Sequence, residues 1–373
     1  MKLKFFATAL VFLFMTSQQG YAAEVYLPAA YLFPWDFAKQ EAAPLPQISL
    51  KNVKGLLVPH HMVVRHKVFE AYRIFAANME EKPETIIILS PNHYEAGESN
   101  IQMNSTGFRT KFGTLEVDSE LENAFDFPVN NFPFYREHGI SAQVNFIKYF
   151  FPDAKVVPII LKWKTPRREL DALVAQIANT KGKIAIIASV DFSHYQSQKV
   201  ADFHDILSQN AIERCDARKT NKLEIDSRAS LYVFLKALGK LNFCTPTIFS
   251  YTNSQSFTRN FLDSTTSHFI AFFGEPGDAK GATSKPKRIP GLYTVIHVFG
   301  PEIAGQEDRF FMGNDEIFLA REGKVYRIDQ RKKRVAQEVK TPELLGRIQK
   351  GNQLCGGKDF GLVRGNEQTV CFH

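Results

Sequence analysis

Short apolar runs alternate along this chain with stretches of helical spacing. Residues 55–58, 85–89, 155–161 and 183–190 are apolar and mostly β-branched, the pattern of strands covered on both faces. Residues 101–103, 247–251 and 267–273 read as further strands, and 108–117 as an extended or hairpin segment turning at Gly113. Between them, apolar positions recur at helical spacing over 66–79, 140–151, 167–177, 200–215 and 227–238, with a short helix at 119–125. Strands and helices alternate from about 50 to 275. That alternation predicts an α/β domain, 50–276, with a mostly parallel central sheet flanked by helices and joined by right-handed crossovers.

The pattern changes at both ends. Residues 1–22 carry Lys2 and Lys4, then an apolar stretch from Phe5 to Met15, then Gly20-Tyr21-Ala22. This is the layout of a cleavable secretory signal, cut after Ala22, and it places the mature chain outside the cytoplasm, in the periplasm or beyond. No later segment is long and apolar enough to span a membrane. Residues 23–49 mix Pro, aromatics and Ala without a period and read as an N-terminal arm on the domain surface. Residues 277–290 are rich in Gly, Ala, Ser, Lys and Pro, a linker composition. Beyond it, 293–299, 316–319 and 324–328 are strand-like and 341–350 helix-like, so 291–373 reads as a small β-rich C-terminal domain.

Composition narrows the picture further. The chain of 373 residues is 44% hydrophobic and 23% charged, enough apolar material for a large core. Its 33 phenylalanines are assigned to that core. The net charge of +7 is scattered, with one tight basic run at Arg331–Arg334 that reads as a solvated loop. No aromatic and basic residues interleave as in RNA- or DNA-binding modules, so nucleic acid is not the expected partner. Cys215, Cys244, Cys355 and Cys371 are even in number, which in an exported chain favours disulfides. Cys355 with Cys371 is the nearest pair, Cys215 with Cys244 the other. None lies in a CxxC, which disfavours a zinc knuckle or thioredoxin-like centre.

Three of the apolar strands end alike. Residues 55–58 run into Pro59-His60-His61, 85–89 into Ser90-Pro91-Asn92-His93, and 183–190 into Asp191-Phe192-Ser193-His194. Ligands of open α/β sheets bind at these C-terminal ends. A lone strand-end histidine is more often structural, and His61, His66, His204, His268, His297 and His373 take that reading. The repeated placement singles out His60, His93 and His194. Two imidazoles and a carboxylate with open positions suit non-haem iron(II), and with retained waters they suit zinc hydrolysis. Glu95, Asp191 and Asp226 are available carboxylates, and spacing does not choose among them.

Pro59-His60, Leu89-Ser90-Pro91-Asn92-His93, Arg136-Glu137-His138 with Gln143, Val156-Val157-Pro158-Ile159 and Ser189-Val190-Asp191-Phe192-Ser193-His194-Tyr195 resemble the successive motifs of the Memo-like family, also called AmmeMemoRadiSam system protein B. The order is kept over roughly 50–275, and the Asp-Phe-Ser-His-Tyr run is the most specific part. The resemblance implies a fold shared with the catalytic subunit of class III extradiol ring-cleavage dioxygenases, which use non-haem iron(II). It places metal-site histidines at His60 and His93. It puts the third metal position, where the family tends to carry Cys, at Asp226 just before a late helix, although an N-cap role suits that position as well. His194, oriented by Asp191, becomes the general acid/base. Glu137, His138 and His61 stand around the ligands. Two departures are His61, where a small residue is usual, and Gly139, where Ser is common.

The expectation is therefore an exported Memo-like metal-binding protein holding a divalent metal, foremost Fe(II), with Cu, Zn and Mn as alternatives. Its chemistry would be dioxygenase-like redox work on a small-molecule substrate. A non-catalytic metal- or partner-binding protein of the cell envelope is the second reading, and a metal-dependent hydrolase the third.

Overall fold

The protein is described here from a computed structural model covering residues 26–30, 37, 41, 43–196, 198–258 and 265–277, and short strands between 309 and 372. The first eleven strands are β1 (Leu27–Pro28), β2 (Leu50–Val58), β3 (Thr85–Pro91), β4 (Ile101–Met103), β5 (Phe108–Thr110), β6 (Gly113–Leu115), β7 (Lys155–Leu161), β8 (Ile184–Ser189), β9 (His194–Gln196), β10 (Thr245–Asn253) and β11 (Thr265–Pro276). The main sheet has the order β10-β11-β2-β8-β3-β7-β4. β2, β8, β3 and β7 are parallel, while β10, β11 and β4 pair antiparallel at the margins. Every residue of β3 is buried, as its unbroken apolar run requires of a central strand.

Side chains alternate between two cores. Ile87 and Leu89 face one, packed with Leu170 and Leu173 of helix Arg167–Asn179 and Leu231 and Phe234 of helix Arg228–Lys240. Ile86 and Ile88 face the other, with Val68 and Tyr72 of helix Arg65–Ala77 and Phe146 of helix Val144–Phe150. Each such fully buried aliphatic contributes about 1.5–3 kcal/mol. This is the expected α/β sandwich. The 108–117 segment is the expected hairpin, β5 with β6, turning near Gly113 at φ 110°.

The N-terminal arm is more than a surface layer. β1 pairs with β5, Leu27 is fully buried, and Phe37 packs against Phe69, Phe112, Phe146 and Tyr149. Two isolated apolar anchors carry no periodicity, so the sequence pattern does not mark them.

Cys215 and Cys244 form a disulfide with Cα atoms 5.9 Å apart, one of the two expected pairs. It ties the end of helix Gln198–Glu213 to the turn before β10. Reducing it, or replacing Cys215 with Ser, should lower stability by about 2–4 kcal/mol, read as a drop in melting temperature. Cys355 lies outside the described residues.

Helix Gln198–Glu213 also carries a buried acidic pair. Tyr251 Oη bonds Asp202 Oδ1 at 2.5 Å and Asp205 Oδ2 at 3.0 Å, and Ser193 Oγ donates to Asp205 Oδ1 at 2.9 Å. Burial, against the hydrogen bonds of Ser267, Ser193 and Tyr251 and helped by the Asp202 charge, pushes Asp205 up to about 7. A carboxyl raised in the folded state keeps a proton that the unfolded chain has already lost. Its contribution is neutral below about pH 4, turns destabilising as pH rises, and levels off above about 7. Asp205→Asn should therefore flatten the fall in stability over this range and leave the variant at least as stable as wild type at pH 8. Denaturant unfolding at several pH values checks this.

Toward the C-terminus, Arg309–Gly313, Glu316–Arg321, Lys324–Asp329 and Arg334–Glu338 form an antiparallel sheet in chain order. Phe360–Val363 pairs with Thr369–Phe372. The first, fourth and last two of these strands were not marked by the apolar pattern. The expected strand at 293–299 and helix at 341–350 lie outside the described residues. Among the described residues, no helix is long and apolar enough to cross a membrane.

Candidate metal centre

β2, β8 and β3 are neighbours in the sheet, so their C-terminal ends deliver His60, Asp191 and His93 side by side. Asn92 shapes the last of these exits. Its amide N–H donates to Leu161 O at 2.9 Å, and its side chain closes a turn on Ala96. Asp226 comes from 35 residues beyond Asp191. The two segments are laced together: Asp226 N–H donates to Asp191 O, and Asp191 N–H donates to Asp226 Oδ2, both at 3.1 Å. Asp226 is not the cap of the following helix. Ser227 fills that role, its Oγ accepting from Ser230 N, which leaves the Asp226 carboxylate for the site.

His60 is buried, and its tautomer follows from its partners. Ser189 Oγ donates to Gly139 O at 2.6 Å and accepts from Gln143 Nε2 at 3.0 Å. His60 Nδ1, 3.3 Å from the same oxygen, must then be a donor. Gln143 is fixed in turn, donating to Pro59 O and accepting from Tyr72 Oη, each at 3.0 Å. This relay from Tyr72 to His60 aims Nε2 at two carboxylates, 3.0 Å from Asp226 Oδ2 and 3.4 Å from Asp191 Oδ2. Both His60 Nε2 and Asp226 Oδ1 are buried without a hydrogen-bond partner.

His93 is built the same way. Its Nδ1 is 2.6 Å from Glu137 Oε1 and its amide donates to Glu137 Oε2 at 2.9 Å. Glu137 also accepts from Gly139 N. Burial alone would raise the Glu137 carboxyl, but the His93 hydrogen bond and charge outweigh it and hold it low. With Nδ1 engaged by a carboxylate, His93 has its Nε2 3.8 Å from Asp226 Oδ2. A carboxylate behind a ligating imidazole is the usual support of a metal-bound histidine. Gly139 permits it: a Cβ there would overlap Ser90 Oγ and press on Glu137 Oε1. The departure from Ser at this position thus lets the turn approach the end of β3.

The remaining candidates surround this core. His138 is exposed and lies over His93, ring centroids 4.0 Å apart, and 5.2 Å from the His60 ring. Loss of solvent on its inner side, then the charges of His93 and His60, push it down to about 4. His61 donates its amide to Asp191 Oδ1, and its ring meets the buried His268 with Nδ1 and Nε2 3.1 Å apart. Burial pushes His268 down to about 4. The expected orientation of His194 by Asp191 is not seen among the described residues. Asp191 Oδ1 turns back to accept the amides of His60 and His61, and among the described residues it makes no hydrogen bond to His194. His194 instead sits on β9, held by pairing with Thr266 of β11, near enough for its charge to act on Asp191. Glu95 is used elsewhere, accepting from Trp163 N at 2.7 Å. Sequence reasoning left Ser189 and Tyr72 unassigned, since a hydroxyl in an apolar run has no distinguishing signal.

Among the described residues, the strand ends of this parallel sheet thus gather histidines and carboxylates into two groups that could hold a metal ion, His60 with His93 and His138, and His60 with Asp191 and Asp226. Residues 36–267 match the family model described as Memo-like protein, and the chain belongs to that family. It is 29% identical over 250 residues to a MEMO1 family protein of Pyrobaculum aerophilum, covering 62% of this chain and 87% of that one. MEMO1 family proteins of Caldivirga maquilingensis and Pyrobaculum arsenaticum are 30% and 31% identical over 45% and 47% of this chain. The matches span 64% and 65% of those two relatives.

Proposed function

We propose that this chain is an exported metal-dependent protein holding a divalent ion on His60, His93 and Asp226. Iron(II) is the ion its donor set suits best, and its chemistry is oxygenation or a related redox reaction of a small molecule. The observation that carries the reading is the buried His60 Nε2 set 3.0 Å from Asp226 Oδ2 and 3.4 Å from Asp191 Oδ2, with Asp226 Oδ1 beside them buried and without a hydrogen-bond partner. Such atoms are costly unless a cation or proton joins them. Burial alone would lower His60, yet Asp191 and Asp226 raise it to about 9. The site is thus one that demands positive charge. Among the described residues, His60, Asp191 and Asp226 form one group able to hold an ion, and His60, His93 and His138 another.

When bound, the ion would supply Lewis acidity and open positions for small ligands. The protein's own part is orientation: Ser189 and Glu137 fix the tautomers of His60 and His93, and the backbone lacing of Asp191 with Asp226 fixes the carboxylate. His194, near enough for its charge to act on Asp191, is the proposed group to take or give a proton. The signal-like residues 1–22 and the Cys215–Cys244 disulfide support export. Purification of the exported protein from the cell envelope, with anaerobic metal analysis and sequencing of its N-terminus, tests both parts. A chain starting at Ala23 with near-stoichiometric iron is the expected result. A metal-free protein that takes up no iron, zinc, copper or manganese on reconstitution would sink the centre.

A further inference from the structure

We propose that His138 is a conditional ligand of this centre: it completes a three-histidine, one-carboxylate set around ions that prefer four-coordinate geometry and stays off ions that prefer open, higher coordination. The inference rests on the metal-binding reading of His60, His93 and Asp226 and adds a residue that sets which ion is kept. His138 offers a ring nitrogen that lies, with those of His60 and His93, in a group whose ligand atoms are all within 4.8 Å of one another. Nitrogens sharing one tetrahedral ion at bond lengths near 2.1 Å stand about 3.4 Å apart. The required movement is therefore on the order of 1 Å.

His138 is free to make it. Among the described residues its ring accepts and donates no hydrogen bond, and its recorded ring contacts are with His93 and His60. It is exposed, so no core packing resists a change of χ angle. His60 and His93 have no such freedom, since Ser189 and Glu137 hold their Nδ1 atoms. Asp191 is the other neighbour that might supply a fourth donor. Its Oδ1 is committed to the amides of His60 and His61, and bringing in its Oδ2 adds a second carboxylate, a donor set for harder ions. His60 has one lone pair to give, its Nδ1 being engaged. It cannot serve a His60–His93–His138 ion and a His60–Asp191–Asp226 ion at once. The two donor groups are therefore alternatives, and the imidazole-rich one favours zinc, cobalt and copper over manganese.

The test uses the mature chain freed of metal, with wild type, His138→Ala and His138→Gln compared. Cobalt(II) is the probe of geometry, and zinc(II) and manganese(II) are the probes of affinity. Wild type loaded with cobalt should show the intense visible bands of a four-coordinate ion, and both variants the weak bands of higher coordination. Zinc affinity should fall at least about tenfold in the variants, while manganese affinity should change less than about threefold. Retained manganese binding also shows that the variants are folded. Unchanged cobalt bands and an unchanged zinc-to-manganese ratio in both variants would overturn the role of His138 and leave the centre standing. Failure of wild type to take up any of the three ions would overturn the centre itself, and this inference with it.

Discussion

Alanine in place of His60 is expected to abolish stoichiometric binding of divalent metal and to destabilise the metal-free protein by about 3–5 kcal/mol, the cost of stranding a buried charge. Two terms add. The first is loss of the ligand with the most committed geometry, its Nδ1 held by Ser189 and its Nε2 aimed at Asp226. The second is exposure of the Asp191 and Asp226 carboxylates to each other, with no imidazole between them. A cavity alone, as left by a similar truncation in an ordinary core, would not affect metal content. Metal analysis together with urea unfolding separates the two terms. A His60→Ala protein that retains metal at the wild-type ratio would show that the ligands lie elsewhere.

Replacing Glu137 with Ala should cost about 10- to 100-fold in metal affinity without removing any ligand. Glu137 accepts three N–H groups: the His93 amide, the His93 ring and the Gly139 amide. Truncation leaves these buried donors unmatched, at about 1–3 kcal/mol for each that water does not reach. It also frees the His93 ring to rotate or change tautomer. Glu137→Gln is the informative companion. Its amide oxygen can serve the ring and Gly139, but its NH₂ would confront the His93 N–H. It should keep most of the stability and lose much of the affinity. Equal metal affinity in wild type and both variants, measured by competition with a chromophoric chelator, would rule out the supporting role.

Much of this site could be read from the residues alone because it sits where periodicity ends. The β-branched run of β3 stops at Ser90-Pro91-Asn92, and the histidine after it is conspicuous for following a breaker. His60 and Asp191 stand out for the same reason. Asp226 does not: a carboxylate before a helix looks like a cap, and only the structure shows Ser227 taking that task. Gln143 and Ser189 are visible as motif residues, but their joining with Tyr72 into one relay is not, because spacing says nothing about hydrogen-bond partners. Strand direction was also hidden. Nothing in the composition of β10 and β11 states a direction, so their antiparallel pairing shows only in the structure. The anchors Leu27 and Phe37 were single residues in an irregular arm, below the length at which any period can be counted.

The reach of the centre along the chain has a consequence for how the protein comes into being. His60 meets Asp191 across 131 residues, Asp191 meets Asp226 across 35, and His93 meets Glu137 across 44. Contacts so distant in sequence close late, after the entropy of large loops has been overcome. No stretch shorter than residues 60–226 contains the site, so an ion recognises only a sheet in which these strands have already assembled. An ion that binds the finished form alone adds about 4 kcal/mol when its concentration is a thousandfold above its dissociation constant. Metal supply would then govern how long each molecule survives proteolysis, and starvation for the ion would thin the population before it silenced any chemistry.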